Sequence, residues 1–173
     1  MKRNNCIGSE NLKKKLWVTV LILALTLIGV FSFVLLKPPL EISTLGTSVG
    51  NKSVVIGIGN KGFREVKILE VSVNNNEKPS KTKVQVSNAL QGFIITDDYN
   101  NNESEKYGFK NIEEVSIKAD TSPAATYKKL DDGTASKKDE IYGISVFHSE
   151  AINQVKIKYS YFGISFNKTV LFN

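Results

Sequence analysis

The sequence predicts an all-β fold: an antiparallel β-sandwich of about seven or eight short strands, preceded by one N-terminal apolar helix. Three observations carry this reading. Leu16 to Leu36 (LWVTVLILALTLIGVFSFVLL) is an uncharged run of 21 residues, enough as a helix to span a hydrocarbon core of roughly 30 Å. Beyond it, apolar residues recur at period two rather than 3.6. Clusters of Asn, Gly, Ser and Pro separate those short runs, as turns between strands do.

The first element is a transmembrane helix because it is apolar on every face and flanked by charge, and a buried core helix would need a protein around it that this chain cannot supply. Lys2, Arg3, Lys13, Lys14 and Lys15 precede it and Lys37 alone follows closely, which places the N-terminus in the cytoplasm. A cleaved signal peptide has an apolar region of about 7 to 15 residues and a small-x-small site, a poorer match to this longer run. The expected organisation is a basic cytoplasmic tail over 1–15, the helix over 16–36, a juxtamembrane linker over 37–39 and an extracytoplasmic domain over 40–173. The net charge of +6 is then mostly topogenic, since residues 38–173 carry 17 Lys/Arg against 16 Asp/Glu. No basic stripe remains to track a phosphate backbone, so nucleic acid is not an expected partner. Cys6, the single cysteine, lies ahead of the helix, and the domain must hold together by burial without a disulfide.

Pro38-Pro39 ends the helix and starts extended chain. Leu40 to Leu45 is a short first strand, and Ser53 to Gly59 aligns Val54, Ile56 and Ile58 on one face. The next residues complete Gly57-Ile58-Gly59-Asn60-Lys61-Gly62, which spells G-x-G-x-x-G, the dinucleotide fingerprint. That motif needs a helix directly behind it, yet Phe63 to Val73 (FREVKILEVSV) is rich in β-branched residues and alternates as a strand. Val66 and Ile68 keep one phase and Leu69, Val71 and Val73 the other, a slip that predicts a bulge between Ile68 and Leu69. Without a helix N-terminus nothing cradles a pyrophosphate, so no dinucleotide or other cofactor is expected; GIGNKG is read as a hairpin with Gly62 at positive φ. Asn74 to Pro79 reads as a turn, and Lys83 to Ser87, Gly92 to Thr96 and Ile112 to Lys118 as further strands. Tyr142 to His148, Val155 to Tyr161 and Ile164 to Phe172 alternate more clearly.

Val54-x-Ile56-x-Ile58-x-Asn60-Lys61-Gly62 followed by Val66-x-Ile68-Leu69-x-Val71-x-Val73-Asn74 resembles the strand, Asn-x-Gly turn and strand of bacterial immunoglobulin-like surface modules. The resemblance covers about two strand pairs and implies an immunoglobulin-like antiparallel β-sandwich, in a class that binds or spaces and rarely catalyses. The Cys and Trp core of antibody-type domains is absent, since Cys6 and Trp17 lie outside the exported part, so the sandwich architecture alone carries over.

A search for chemistry yields no catalytic or metal-ligating set. His148 is the single histidine, and Phe147-His148-Ser149-Glu150 lacks the elbow and spacing of a Ser-His-acid triad. Asp98, Asn100 and Asn102 match the first three ligands of a calcium loop, but Glu103 stands where the turn needs Gly and Phe109 where the bidentate Glu belongs. Two polar stretches, 97–111 and 119–140, are longer than ordinary connections, and composition reads both as mobile. The first holds Tyr99, Tyr107 and Phe109 among Asn and Ser, a mixture that suits a partner-binding loop. The expected function is a non-enzymatic interaction domain at the outer face of the membrane of a bacterial cell envelope, contacting an unidentified protein or envelope component. An envelope hydrolase or metal-dependent enzyme, or a subunit of a membrane complex, is the alternative.

Overall fold

The computed structural model describes residues 6–172 and divides the chain into two compact units, Met1–Pro38 and Pro39–Asn173. Lys2 and Arg3 of the basic flank lie outside the described residues. In the first unit, helix α1 (Cys6–Leu36) begins before the apolar run, and its stretch Leu12–Leu36 is long and apolar enough to cross a membrane. Its threonines hide their hydroxyls in the helix itself: Thr19 and Thr26 donate to the carbonyls of Lys15 and Ile22 at 3.0 and 2.9 Å. That satisfies each polar group without a partner from outside.

The second unit contains nine strands among the described residues: β1 (Leu40–Thr47), β2 (Ser53–Asn60), β3 (Val66–Val73), β4 (Lys81–Asn88), β5 (Phe109–Lys110), β6 (Ser116–Ile117), β7 (Glu140–Phe147), β8 (Gln154–Tyr161) and β9 (Ile164–Leu171). They form two sheets, β1-β2-β7-β4-β5 and β6-β3-β8-β9, with every pairing antiparallel. Ile56, Val84 and Ile144 of the first sheet and Val66, Val155 and Ile157 of the second are fully buried. Alternating side chains thus supply a core without cysteine.

The predicted bulge is present. Register between β3 and β8 shifts between Ile68 and Glu70, which leaves Leu69 as the extra, half-exposed residue while Val66, Ile68, Val71 and Val73 all turn inward. The predicted hairpin is not. β2 and β3 belong to different sheets, so Asn60-Lys61-Gly62 is a crossover between them. Asn60 organises it from a fully buried position: its Nδ2 donates to the carbonyls of Arg64 (2.7 Å) and Ile117 (3.1 Å), and its Oδ1 accepts from the Gly62 amide (2.9 Å). Gly62 does not take positive φ. It is glycine for space, since a Cβ there would stand 2.6 Å from Tyr161 Oη and 2.9 Å from Pro39 Cβ. The tight hairpins lie elsewhere, at β1–β2, with Gly50 and Asn51 left-handed, and at β8–β9, with Phe162 and Gly163 left-handed.

Both long polar stretches contain ordered elements, a correction to their reading as mobile. Residues 97–111 hold a 3-10 turn (Ser104–Tyr107) and β5, and residues 119–140 hold helix α2 (Pro123–Asp131). Gly92–Thr96 forms no strand, with Gly92 left-handed, and Ile112–Lys118 is half 3-10 turn and half β6.

Candidate functional site

β2 is buried at all eight of its positions, which a strand with one face in solvent cannot be. Two segments make the extra layer that covers the outer face of the five-stranded sheet. The first, residues 89–96, is fastened by Gln85 of β4. This buried side chain donates from Nε2 to the Ile94 carbonyl (2.7 Å) and to Ser145 Oγ (2.6 Å), and its Oε1 accepts from the Ile94 amide (3.0 Å). One glutamine amide therefore satisfies both backbone groups of Ile94, the service a neighbouring strand would perform. Gly143 of β7 lets the Phe93 ring lie against the sheet, since a Cβ at Gly143 would be 2.9 Å from that ring.

The second covering segment is α2. Pro123 occupies its first turn, where the missing amide costs nothing, and Ser122 Oγ donates to Glu41 Oε2 of β1 at 2.9 Å. Thr121 and Asn60 exchange hydrogen bonds: the Thr121 amide donates to the Asn60 carbonyl (3.0 Å) and the Asn60 amide to Thr121 Oγ1 (3.2 Å). Lys129, in the last turn of α2, bonds Asp139 beyond the helix, whose other oxygen accepts from the Ser136 amide and hydroxyl at 2.7 and 2.8 Å. The Lys129 ammonium first, then these Ser136 donors, hold the Asp139 carboxyl down at about 2.

Between the two covering segments runs a cleft of about 310 Å³. Val55 of β2 forms its floor, Phe93 and Ile95 one wall, and Tyr127 and Leu130 of α2 the other. Ser43, Thr121 and Thr126 contribute hydroxyls, and the lining contains no carboxylate, ammonium, imidazole or thiol. Ile95, Tyr127 and Leu130 remain 40, 49 and 39 % exposed, and Leu90 is exposed in the same segment. Such a surface removes apolar area from water when covered; it offers no group that takes or gives a proton at neutral pH.

The residues singled out from sequence lie elsewhere. Tyr99 is buried at 8 % exposure and stacks on Phe109 with centroids 4.7 Å apart, while Tyr107 is half-buried. Burial first, then Asp97, pushes the Tyr99 phenol well above its ordinary range. Tyr99 and Phe109 thus stack beside the edge of the sheet, with Phe109 itself in β5. The would-be calcium ligands bond their own loop: Asp98 Oδ1 accepts from the Asn100 amide, and the Asp98 carbonyl from Ser104 Oγ. Among the described residues no three His, Cys, Asp or Glu side chains are grouped to hold a metal ion. His148 is buried with Nε2 3.3 Å from Glu77 of the β3–β4 turn, while Ser149 and Glu150 are exposed. The cleft itself had a sequence signal in the in-strand glycines Gly59 and Gly143 and in the apolar Phe93-Ile94-Ile95. Compared with known proteins, the chain matches no family model, no curated protein and no solved structure.

Proposed function

We propose that the protein is a non-enzymatic interaction domain, held by α1 at the outer face of the cytoplasmic membrane, and that the cleft beside α2 receives apolar side chains of a protein partner. The lining carries this reading: aliphatic and aromatic walls, partly exposed, with hydroxyls as the polar groups. At about 310 Å³ the cleft sits at the small end of the 300–1,000 Å³ typical of small-ligand pockets, a size that suits one or two anchoring side chains of a larger surface. Two antiparallel sheets support the resemblance to bacterial immunoglobulin-like modules, whose usual work is binding. The excess of Lys/Arg ahead of the apolar run Leu16 to Leu36 supports the orientation, with the C-terminal domain outside.

The test places a photo-crosslinking amino acid at Leu130 and, in a second chain, at Lys158 on the opposite sheet, in living cells. The expected result is a discrete protein adduct from Leu130 alone that Ile95→Asp abolishes. Equal labelling from both positions, or an adduct insensitive to Ile95→Asp, rejects the cleft as the contact. An adduct of small-molecule mass would replace the protein partner by an apolar ligand. Protease added to wall-stripped cells should digest the chain beyond Lys37; its protection would reverse the orientation.

A further inference from the structure

Pro39, the first residue of the second unit, lies at one end of the two sheets, where its carbonyl accepts from the Lys61 amide at 3.1 Å. The same end carries an aromatic cluster. Phe63, in the β2–β3 crossover, is 66 % exposed, and Phe162, in the β8–β9 turn, is 48 % exposed; their centroids are 5.3 Å apart. Both rest on buried Tyr161, at 6.3 and 4.7 Å, and the Arg64 guanidinium stands 6.0 Å from the Phe162 centroid. The remaining charges here are of both signs: Lys61 pairs with Glu41, Lys118 with Glu140, and Glu65, Lys67 and Asp120 are exposed.

Phe162 occupies an unusual place. Its φ of 52° is left-handed, at the first central position of a two-residue turn that closes Tyr161 against Ile164. Asn, Asp or Gly is the ordinary occupant, and a bulky ring there is held against its backbone preference. Two rings exposed to water, one of them held in a strained backbone to stand there, call for a surface that covers them.

We propose that this end is a membrane seat: Phe63 and Phe162 enter the headgroup layer of the bilayer that α1 spans, and Arg64 meets lipid phosphates. The proposal rests on the anchoring of α1 proposed above. Pro39 follows Leu36, the last helical residue, by three residues, so chain connectivity limits the separation to about 11 Å. The headgroup layer on each side of the hydrocarbon is itself about 5–7 Å thick, so the end that bears Pro39 starts at the lipid surface. Aromatic rings beside an arginine are the composition that partitions there. The opposite end, marked by fully exposed Val49 in the β1–β2 turn, lies one eight-residue strand away, about 26 Å at the usual rise. It stays in water.

The full chain in phosphatidylglycerol–phosphatidylcholine vesicles tests this by tryptophan fluorescence. Trp17, the single natural tryptophan, reports on the anchor. In a Trp17→Phe background, Phe63→Trp and, separately, Phe162→Trp report on the seat, and Val49→Trp on the distal end. The expected result for both seat reporters is blue-shifted emission, at least about twofold quenching by lipids brominated near the top of the acyl chain, and protection from aqueous iodide, none of which Val49→Trp shows. Seat reporters that behave like Val49→Trp while Trp17 of the natural chain is quenched by brominated lipid overturn the seat and leave the anchor standing. An unquenched Trp17 overturns the anchor, and the seat with it.

Discussion

Strands β2 and β8 are both interior strands of eight residues, yet the chain surrounds them in opposite ways. In β2 every residue is buried, because residues 89–96 and α2 lie across the outer face of its sheet. In β8 burial alternates: Val155, Ile157, Tyr159 and Tyr161 face the core, while Lys156, Lys158 and Ser160 face outward with no layer over them. The difference lies in composition before it lies in packing. β2 reads Ser-Val-Val-Ile-Gly-Ile-Gly-Asn, apolar on both phases and with Gly59 where Thr121 and Pro123 approach, whereas β8 puts lysine at two of its four outward positions, Lys156 and Lys158. A sheet face that carries long ammonium side chains stays solvated; one that carries Val55 and the bare backbone of Gly57 and Gly59 invites a cover, and where the cover is incomplete it leaves a cleft.

Removing the fastening of the cover should have the largest effect. Gln85→Leu keeps the volume but strips three hydrogen bonds and leaves the amide and carbonyl of Ile94 and the Ser145 hydroxyl to find others, at an expected cost of about 3 kcal/mol. Urea unfolding of the detergent-solubilised chain checks this, and hydrogen exchange should accelerate first in 89–96. Next comes Gly143→Val, which drives a branched side chain into Phe93 and should cost about 2 kcal/mol. A loss of equal size with 89–96 still protected from exchange would show that the ring shifts without releasing the layer.

Acid provides a graded version. The Asp139 carboxyl is depressed in the folded chain to about 2. The tie it makes to Lys129 and Ser136 is therefore complete above the ordinary carboxylate value near 4 and is lost as pH falls through about 2. Amide exchange at 132–139 should rise across that window relative to β8, whose outer face has no acidic group among residues 154–161 to protonate. The smallest effect is expected on the bare face: Lys158→Thr should change stability by less than about 0.5 kcal/mol, and a larger loss would mean that face is covered in solution.

What sequence reveals here follows the range of the interaction. The Leu69 bulge was legible because it is a phase slip within one strand, and the turn at 74–77 because Asn74 and Asn76 tolerate the left-handed backbone they adopt. Asn60-Lys61-Gly62 reads as a hairpin and is a crossover because β2 pairs with β7, some 90 residues later, and local turn chemistry does not reveal a distant partner. Residues 92–96 read as a strand because Phe93-Ile94-Ile95 is a short apolar run; that a glutamine side chain takes the place of a neighbouring strand leaves no periodic trace. Helix α2 carried its start and stop signals, Ser122-Pro123 and Gly133, but too few apolar residues between them to stand out from a polar stretch. Asn-rich neighbours make Tyr99 and Phe109 read as residues of an open loop, and the stacking of the two rings, a contact ten residues apart, leaves no local trace in the sequence. The cleft was not legible as a site, since its walls come from segments about 30 residues apart and its floor from a third.

The pairing of β2 with β7 also has a meaning in time. Val54 waits for Val146, and at ordinary synthesis rates of about 5–20 residues per second the wait lasts from roughly 5 to 20 seconds. Until then Val54-Val55-Ile56-Gly57-Ile58 is an apolar, uncharged stretch with one edge unclaimed, the kind of segment that adheres to copies of itself. Lys52 and Lys61 stand on either side of the strand and both stay exposed in the finished fold, where the Lys52 carbonyl accepts from the His148 amide. Flanking charge of this kind guards a nascent strand until its partner arrives, so the two lysines matter most to a chain that is still being made.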